Sequence, residues 1–457
     1  MIATLLAIAG ILYLALQLED KLRIPSPLGL IGLSFLAHYG LQLVPNLTGD
    51  PEHFAALVVF LLPVLLISDS LELKVADLKK HGLSLFALAV VAVVLSVLMA
   101  LLVSDWLFGD YALSVAAIIV LFAMVLATDP VSVVSIFSKF ELPHELKILA
   151  EGESLFNDAT ALIVFVFVGL YALEGGALGV GYIAQISGAV VLGSVLLGLV
   201  VGLLGLAAMK TTDNRIGEMM VLLMTGYGAF ALGEHFYMLL NLFGGHSHMH
   251  LSGILACIFA TITVHHVMTK AVDDENVRIS RDEAELQQQS GRAPSRAVRS
   301  IMQRITATIE ERDRHLRTKE DVQLLALVAN TVLFVAMAEI IDPSLLWHYK
   351  FEILGMFVAT TVIRALMMGL FAWVSQQTER MVDVGFRWWG VLTFAGIKGG
   401  LSVVMLMMIP ANYEHLEMFK AVVIGVIMLS TFVYSGILLA IIAANRDSFR
   451  LEAERHH

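Results

Sequence analysis

The chain has 457 residues, 58% hydrophobic and 15% charged, with a net charge of −11 and a mean hydropathy of +0.82. A water-soluble domain carries about 45–50% apolar and about 25% charged residues, so a soluble globular protein is excluded, and the acidic balance gives no footing for nucleic acid. The lone cysteine, Cys257, excludes an internal disulfide.

Apolar stretches long enough to span a bilayer follow one another along the chain, about 13 in all. They lie at 2–19, 27–44, 54–71, 83–104, 112–139, 145–173, 180–209, 216–240, 250–269, 322–341, 345–375, 386–409 and 415–444. The pattern predicts an all-α polytopic membrane protein. The first stretch has neither a basic leading region nor a small-residue cleavage pattern, and reads as a retained helix. With the N-terminus outside, nearly every Lys and Arg falls on inner loops. The outer side holds only Lys350 and Lys420, and Arg364 and Lys398 stay within spans. The positive-inside rule then places the chain in a cell inner membrane, N-terminus outside and C-terminus cytoplasmic.

The fifth stretch is interrupted at Thr128-Asp129-Pro130. Proline has no N–H, so the carbonyl of Leu126 loses its helical partner, and a freed carbonyl at membrane depth must face protein, water or an ion. Asp129 sits at that break. It either contributes to a cation site or caps the second half-helix, and the two roles are compatible. The sixth stretch opens with Glu151-Gly-Glu-Ser-Leu-Phe-Asn-Asp158. An ionised side chain at bilayer depth costs roughly 2.5–3.5 kcal/mol on the lenient insertion scale, so such residues mark function. Ser154 and Asp158 are four apart and share a helix face, and Glu153 and Asn157 share the adjacent strip. One face therefore offers a carboxylate and a hydroxyl, hard oxygens suited to an alkali cation. The other carries a second acid whose charge needs a partner.

Arg364, deep in the eleventh stretch, is the candidate partner. A buried arginine needs an acid, with Glu153 best placed and Asp129 the alternative. The twelfth stretch is interrupted at Gly396-Ile397-Lys398-Gly399-Gly400. Lys398 there neutralises a broken helix end or pairs with Asp129. The two broken spans lie seven apart and so run in opposite directions, the pattern of an inverted repeat with crossed broken helices and substrate at the midplane. Desolvation disfavours the charged form of a carboxylate. A buried Asp158 then holds either a proton or a metal cation, which suffices for obligate exchange if the site faces one side at a time.

Three features are weaker. The polar insert 270–320 reads as a flexible linker over 273–294, followed by a basic amphipathic helix with Val298, Ile301, Ile305 and Ile309 on one face. His246, His248 and His250 lie on an outer loop, either as ordinary polar residues or as a metal or pH-sensing group. Gly198, Gly202 and Gly205 form a small-residue stripe that reads as close helix packing.

Ala127-Thr-Asp-Pro-Val-Ser-Val133 followed by Glu151-Gly-Glu-Ser-Leu-Phe-Asn-Asp-Ala-Thr-Ala161 resembles the paired signatures of the cation/proton antiporter-1 family. That family comprises the NhaP-type sodium/proton antiporters and the animal sodium/proton exchangers. Ser252-Gly-Ile-Leu-Ala256, Asn330-Thr-Val-Leu-Phe334, Arg364 and Gly396-Ile-Lys-Gly-Gly-Leu-Ser402 extend the resemblance over most of the chain. It implies a transporter rather than an enzyme, without a cofactor beyond the transported Na+, Li+ or K+ and H+, working as a homodimer among membrane lipids. Its implied division is dimerisation helices at 1–80, core helices at 81–175, a linking helix and further dimerisation helices at 176–269, the insert at 270–320, a tenth helix at 321–342, core helices at 343–445 and a cytoplasmic tail at 446–457. In the implied site Asp158 carries the ion or proton, completed by Asp129, Thr128 and Ser154, while Glu153 pairs with Arg364 beside Asn157. The core would move like an elevator. Electrogenic relatives carry two adjacent acids where Asn157-Asp158 stands, so the resemblance implies electroneutral Na+/H+ exchange.

Two positions depart from the family. Lys398 stands where arginine is usual, and Asp69 or Glu72 stands in for an acid expected on the third span to line the ion path. A K+/H+ antiporter with the same site is the nearest alternative. A cation channel is disfavoured because channels build rings of acids by symmetry, and a non-transporting receptor is disfavoured by the intact acid, Asn and Arg set.

Overall fold

The computed structural model describes residues 2–22, 26–40, 51–177, 179–242, 251–288, 296–340, 342–410 and 412–455, and every regular element among them is helical. Eight described helices are long and apolar enough to cross a membrane, and Leu28–Gly40, Ala56–Ser70 and Val115–Leu126 are shorter apolar helices. The protein is a multi-pass membrane protein.

Of the expected spans outside that long set, two are split. The fifth is Val115–Leu126 followed by Pro130–Phe137, and the twelfth is Phe386–Phe394 followed by Gly400–Met407. Ser114 caps the first of these half-helices by accepting from Ala117 N at 3.2 Å, the usual remedy for an orphaned first-turn donor. Proline at 130 both ends that run and begins the next, since a first helical residue needs no N–H.

One expectation for the insert is corrected and another is extended. The helix from Gly253 runs on to Gln288, so most of the expected linker is helical. Its Glu, Gln, Arg, Ala and Leu residues are good helix formers; only the Ser-Gly-Arg-Ala-Pro stretch around 290–294 carried the loop signal. The expected amphipathic helix and the tenth span form one continuous helix, Arg296–Ile340. The side chains of Val298, Ile301, Ile305 and Ile309, and the loop bearing His246, His248 and His250, lie outside the described residues.

The chain forms two compact units. Residues 1–62, 76–189 and 328–457 make the first, and 63–75 and 190–327 the second. In the first, a core of Val133, Ile136, Phe137, Leu149, Val391, Tyr434 and Leu438 joins the second half-helix of the fifth span to the helices His144–Ile163, Phe386–Phe394 and Leu416–Ala444. In the second, the glycine stripe lets Val180–Met209 approach closely. A Cβ at Gly198 would lie 2.6 Å from the Ala256 carbonyl oxygen, and one at Gly202 2.8 Å from that of Ala260. The stripe is helix packing.

Candidate functional site

The site lies in the first unit, where the two broken spans meet. Asp129 N donates to the Ile397 carbonyl at 2.7 Å, so the two interruptions are joined through the backbone. Glycine is needed for this approach: a Cβ at Gly399 would lie 2.5 Å from that of Asp129, and one at Gly396 would overlap the Arg364 guanidinium.

Asp129 caps the second half-helix. Its Oδ2 accepts from Ser132 Oγ at 2.6 Å and from Ser132 N at 3.3 Å, three residues on, as an N-cap side chain does. The capping alternative therefore describes its geometry. The cap was readable in Asp129-Pro130-Val131-Ser132, an acid followed by a first-turn proline.

The helix His144–Ile163 brings the other groups to the break. Asp158 Oδ1 accepts from Thr128 N at 2.9 Å, a donor exposed by the interruption. Ser154 Oγ donates to Thr128 Oγ1 at 2.9 Å, and Asn157 Nδ2 donates to the same hydroxyl at 3.1 Å. Asn157 Nδ2 also donates at 2.9 Å to the Leu126 carbonyl, the acceptor that Pro130 leaves without its helical donor. Thr128, Ser154, Asn157 and Asp158 are all buried. Among the described residues no basic side chain forms an ion pair with Asp158.

Glu153, one residue before Ser154, is matched. Arg364 Nη1 and Nη2 donate to its two carboxylate oxygens at 3.0 and 2.8 Å, the bidentate geometry that makes Arg–carboxylate pairs strong. The same guanidinium donates from Nε to the Thr393 carbonyl at 2.9 Å and from Nη2 to that of Leu392 at 3.0 Å. Those carbonyls belong to the last turn of Phe386–Phe394, where a helix end carries partial negative charge. One arginine thus satisfies an acid and a broken helix end together. No pattern around Arg364 signals the second task.

Lys398 serves the other broken end. Its Nζ donates to the Leu126 carbonyl at 3.5 Å, and its backbone N donates to Ser430 Oγ at 3.1 Å. Ser430, on the helix Leu416–Ala444, carries no sequence signal for this role.

Asp69 and Glu72 belong to the second unit. Glu72 accepts from Lys319 Nζ at 2.9 Å and from Gln323. The same unit holds a buried acid, Glu218, which accepts from Arg314 Nε at 2.6 Å and Thr318 Oγ1 at 3.1 Å. No group of three or more His, Cys, Asp or Glu among the described residues is arranged to hold a metal. The oxygens gathered at the break are those of the Asp158 and Asp129 carboxylates, the Thr128 and Ser154 hydroxyls and exposed helix ends, the hard donors that suit alkali and alkaline-earth cations.

A family described as the transmembrane part of the sodium/hydrogen exchangers matches residues 4–278. The Na(+)/H(+) antiporter NhaH of Halobacillus dabanensis is 29% identical over 211 residues, 45% of this chain and 48% of that protein. Na(+)/H(+) exchanger protein 7 of Caenorhabditis elegans is 23% identical over 412 residues, 86% of this chain and 46% of that protein. The matches thus span about half the length of these two relatives. The solved structure of the sodium proton antiporter MjNhaP1 from Methanocaldococcus jannaschii at pH 8 shares the fold, with a TM-score of 0.70 at 16% identity, covering 98% of this chain and 96% of that one.

Proposed function

The chain belongs to the sodium/hydrogen exchanger family, and from that premise we propose that it is a secondary antiporter exchanging Na+ for H+ across a cell inner membrane, with both ions competing for Asp158. The observation that carries the reading is the unequal treatment of two acids on one helix. Glu153 is bidentately paired with Arg364, whereas buried Asp158 has a single backbone donor, Thr128 N. A carboxylate left unbalanced in low dielectric needs a counter-charge. A proton supplies it by covalent attachment. A sodium ion supplies it by coordination, drawing on Asp158, the Thr128 and Ser154 hydroxyls and Asp129. The two states exclude each other because they use the same oxygens.

Mechanistically, the core carrying Asp158 presents the site to one side of the membrane at a time, and it crosses only when Asp158 is neutralised. Glu153 with Arg364 adds no net charge to that step, and Asn157 adds no titrating group. One proton therefore exchanges for one cation, and the loaded core bears the same charge in either direction. The protein works as a homodimer among membrane lipids, N-terminus outside. Potassium and lithium suit the same oxygen set, and cavity size decides among the three.

The test is dequenching of a pH dye in proteoliposomes, titrated with sodium, potassium and lithium in turn, and, separately, sodium-gradient exchange under valinomycin-clamped potentials of either sign with choline as osmotic balance. Saturable exchange that needs a proton gradient and ignores potential is expected, with sodium the preferred ion. A non-saturating flux would point to a channel, preference for potassium would reassign the substrate, and a rate that follows potential would end the one-for-one stoichiometry.

A further inference from the structure

Beside the Asp158 helix, the first unit holds a partly open cavity lined by the polar side chains of Ser96, Glu153, Asn157, Thr360, Arg364 and Lys398 and otherwise by apolar ones, with room for a water-sized occupant. Asn157 uses both amide hydrogens, on the Leu126 carbonyl and on Thr128 Oγ1, while its Oδ1 is buried and has no hydrogen-bond partner. Lys398 carries three N–H donors and is 3% exposed, yet it spends one of them on a long 3.5 Å bond to Leu126 O. Asn157 Nδ2 and Lys398 Nζ thus share one acceptor, which places a buried donor and a buried orphan acceptor beside the same space. Orphaned buried polar atoms are uncommon and costly, and ordered water is the usual remedy.

The other two polar groups can close the account. Ser96 Oγ donates to the Ala92 carbonyl at 2.7 Å and Thr360 Oγ1 to that of Met356 at 2.8 Å. Both hydroxyls have spent their proton and retain lone pairs. Charge decides what fits. Arg364 and Lys398 are the two basic groups of the lining, and its single carboxylate, Glu153, is already occupied by Arg364. A metal cation is repelled by that balance, and an anion is repelled by Asn157 Oδ1. A neutral molecule that both accepts and donates satisfies every group.

We infer that this cavity binds a resident ordered water, which accepts from Lys398 Nζ and donates to Asn157 Oδ1 and to the Thr360 or Ser96 hydroxyl. Lys398 and Thr360 are thereby positioning residues. Through the water they hold the Asn157 amide, which holds Thr128 Oγ1, a proposed cation ligand. This functional part rests on the antiporter reading; the water itself does not.

Two readouts separate the two. The first is X-ray radiolytic labelling in heavy-oxygen water of the purified full-length protein in nanodiscs. Met367 and Met368 line the cavity and are nearly buried, so a resident water oxidises them locally despite their lack of exposure. Strong labelling is expected, equal in sodium and in choline, and reduced in Thr360→Val. Absent labelling would mean a dry cavity, and labelling that falls as sodium is added would mean a cation site; either overturns the inference. The second readout is transport. Thr360→Val, with unchanged thermal stability, should raise the half-saturating cation concentration by about three- to tenfold, the range of one lost hydrogen bond, with little change in maximal rate. Thr360→Ser should restore it. Labelling without that affinity shift would keep the water and remove its positioning role. If no variant or wild-type protein transports any cation, the antiporter reading fails while the labelling result still stands.

Discussion

Each unit of the molecule buries an acid against an arginine, and the two arrangements serve different ends. In the second unit Glu218 is met by Arg314 and Thr318, and Arg314 also donates to the Asp213 carbonyl at 3.1 Å. In the first unit Glu153 is met by Arg364, which also donates to two backbone carbonyls. Up to this point the two are nearly the same device: a paired acid that ties helices together. The difference is Asp158, five residues beyond Glu153 on the same helix, buried and accepting a single bond from Thr128 N. A buried pair can be neutral in stability relative to apolar residues and is not by itself a sign of chemistry. A buried carboxylate beside a pair that is already balanced is such a sign, because its charge has to be met by something that comes and goes.

The largest effect should come from removing that imbalance. Asp158→Asn should abolish exchange while the protein stays folded, because an amide neither releases a proton nor balances a cation. Turnover above about a tenth of wild type, a loss of less than about 1.4 kcal/mol, would remove Asp158 as carrier and erase the contrast. Glu218→Gln in the other unit should leave the half-saturating cation concentration unchanged.

Next in size, Arg364→Ala strands a buried carboxylate, at a cost of roughly 3–5 kcal/mol. Thermal melting should show that the Glu153→Ala/Arg364→Ala double variant loses less than the two single variants combined. Additive losses would mean that the pair does not couple. Arg314→Ala should cost less, about 1.5–3 kcal/mol for a hydrogen bond to a charged group, because the Arg314 side chain is 23% exposed against 8% for Arg364. Equal losses from the two arginines would show that partial hydration does not soften the second pair.

The smallest effect is graded. Protons and cations that compete for Asp158 should raise the half-saturating cation concentration as pH falls, by up to about tenfold per pH unit once the carboxyl is mostly protonated, as mass action requires. Initial rates over a pH and sodium grid should show the maximal rate changing far less. A maximal rate that falls in step with pH at saturating sodium would mean that the proton acts elsewhere than on the cation's own ligand.

The breaks and the acids were legible in the sequence because each rests on local chemistry: proline at 130, three glycines between 396 and 400, ionisable residues in apolar runs. What joins them was not. The bond from Asp129 N to Ile397 O spans more than half the chain, and no local pattern encodes it. Arg364 was readable as a cation in search of an acid, but its bonds to Leu392 and Thr393 depend on where a second helix happens to end. The insert misled for a different reason. Ser-Gly and Pro near 290–294 mark a loop, yet the Glu- and Gln-rich residues before them have strong intrinsic helix preference and extend the preceding helix to Gln288. Asp69, expected to line the ion path, belongs to the second unit, and no local pattern in Ser68-Asp69 encodes that membership.

Pro130 carries a consequence for how this protein can be lost or remade. Leu126 O is available to Asn157 and Lys398 because residue 130 has no hydrogen to offer it. Any other amino acid at 130 supplies that hydrogen, and it would compete for the carbonyl if the Val115–Leu126 and Pro130–Phe137 half-helices closed into one. No side-chain substitution deletes a backbone oxygen, but one can hide it. For anyone searching genomes for such proteins, or building one, the imino acid is therefore as diagnostic as the carboxylates: a homologue that keeps every acid but has alanine at this position would hold the right charges around a healed helix.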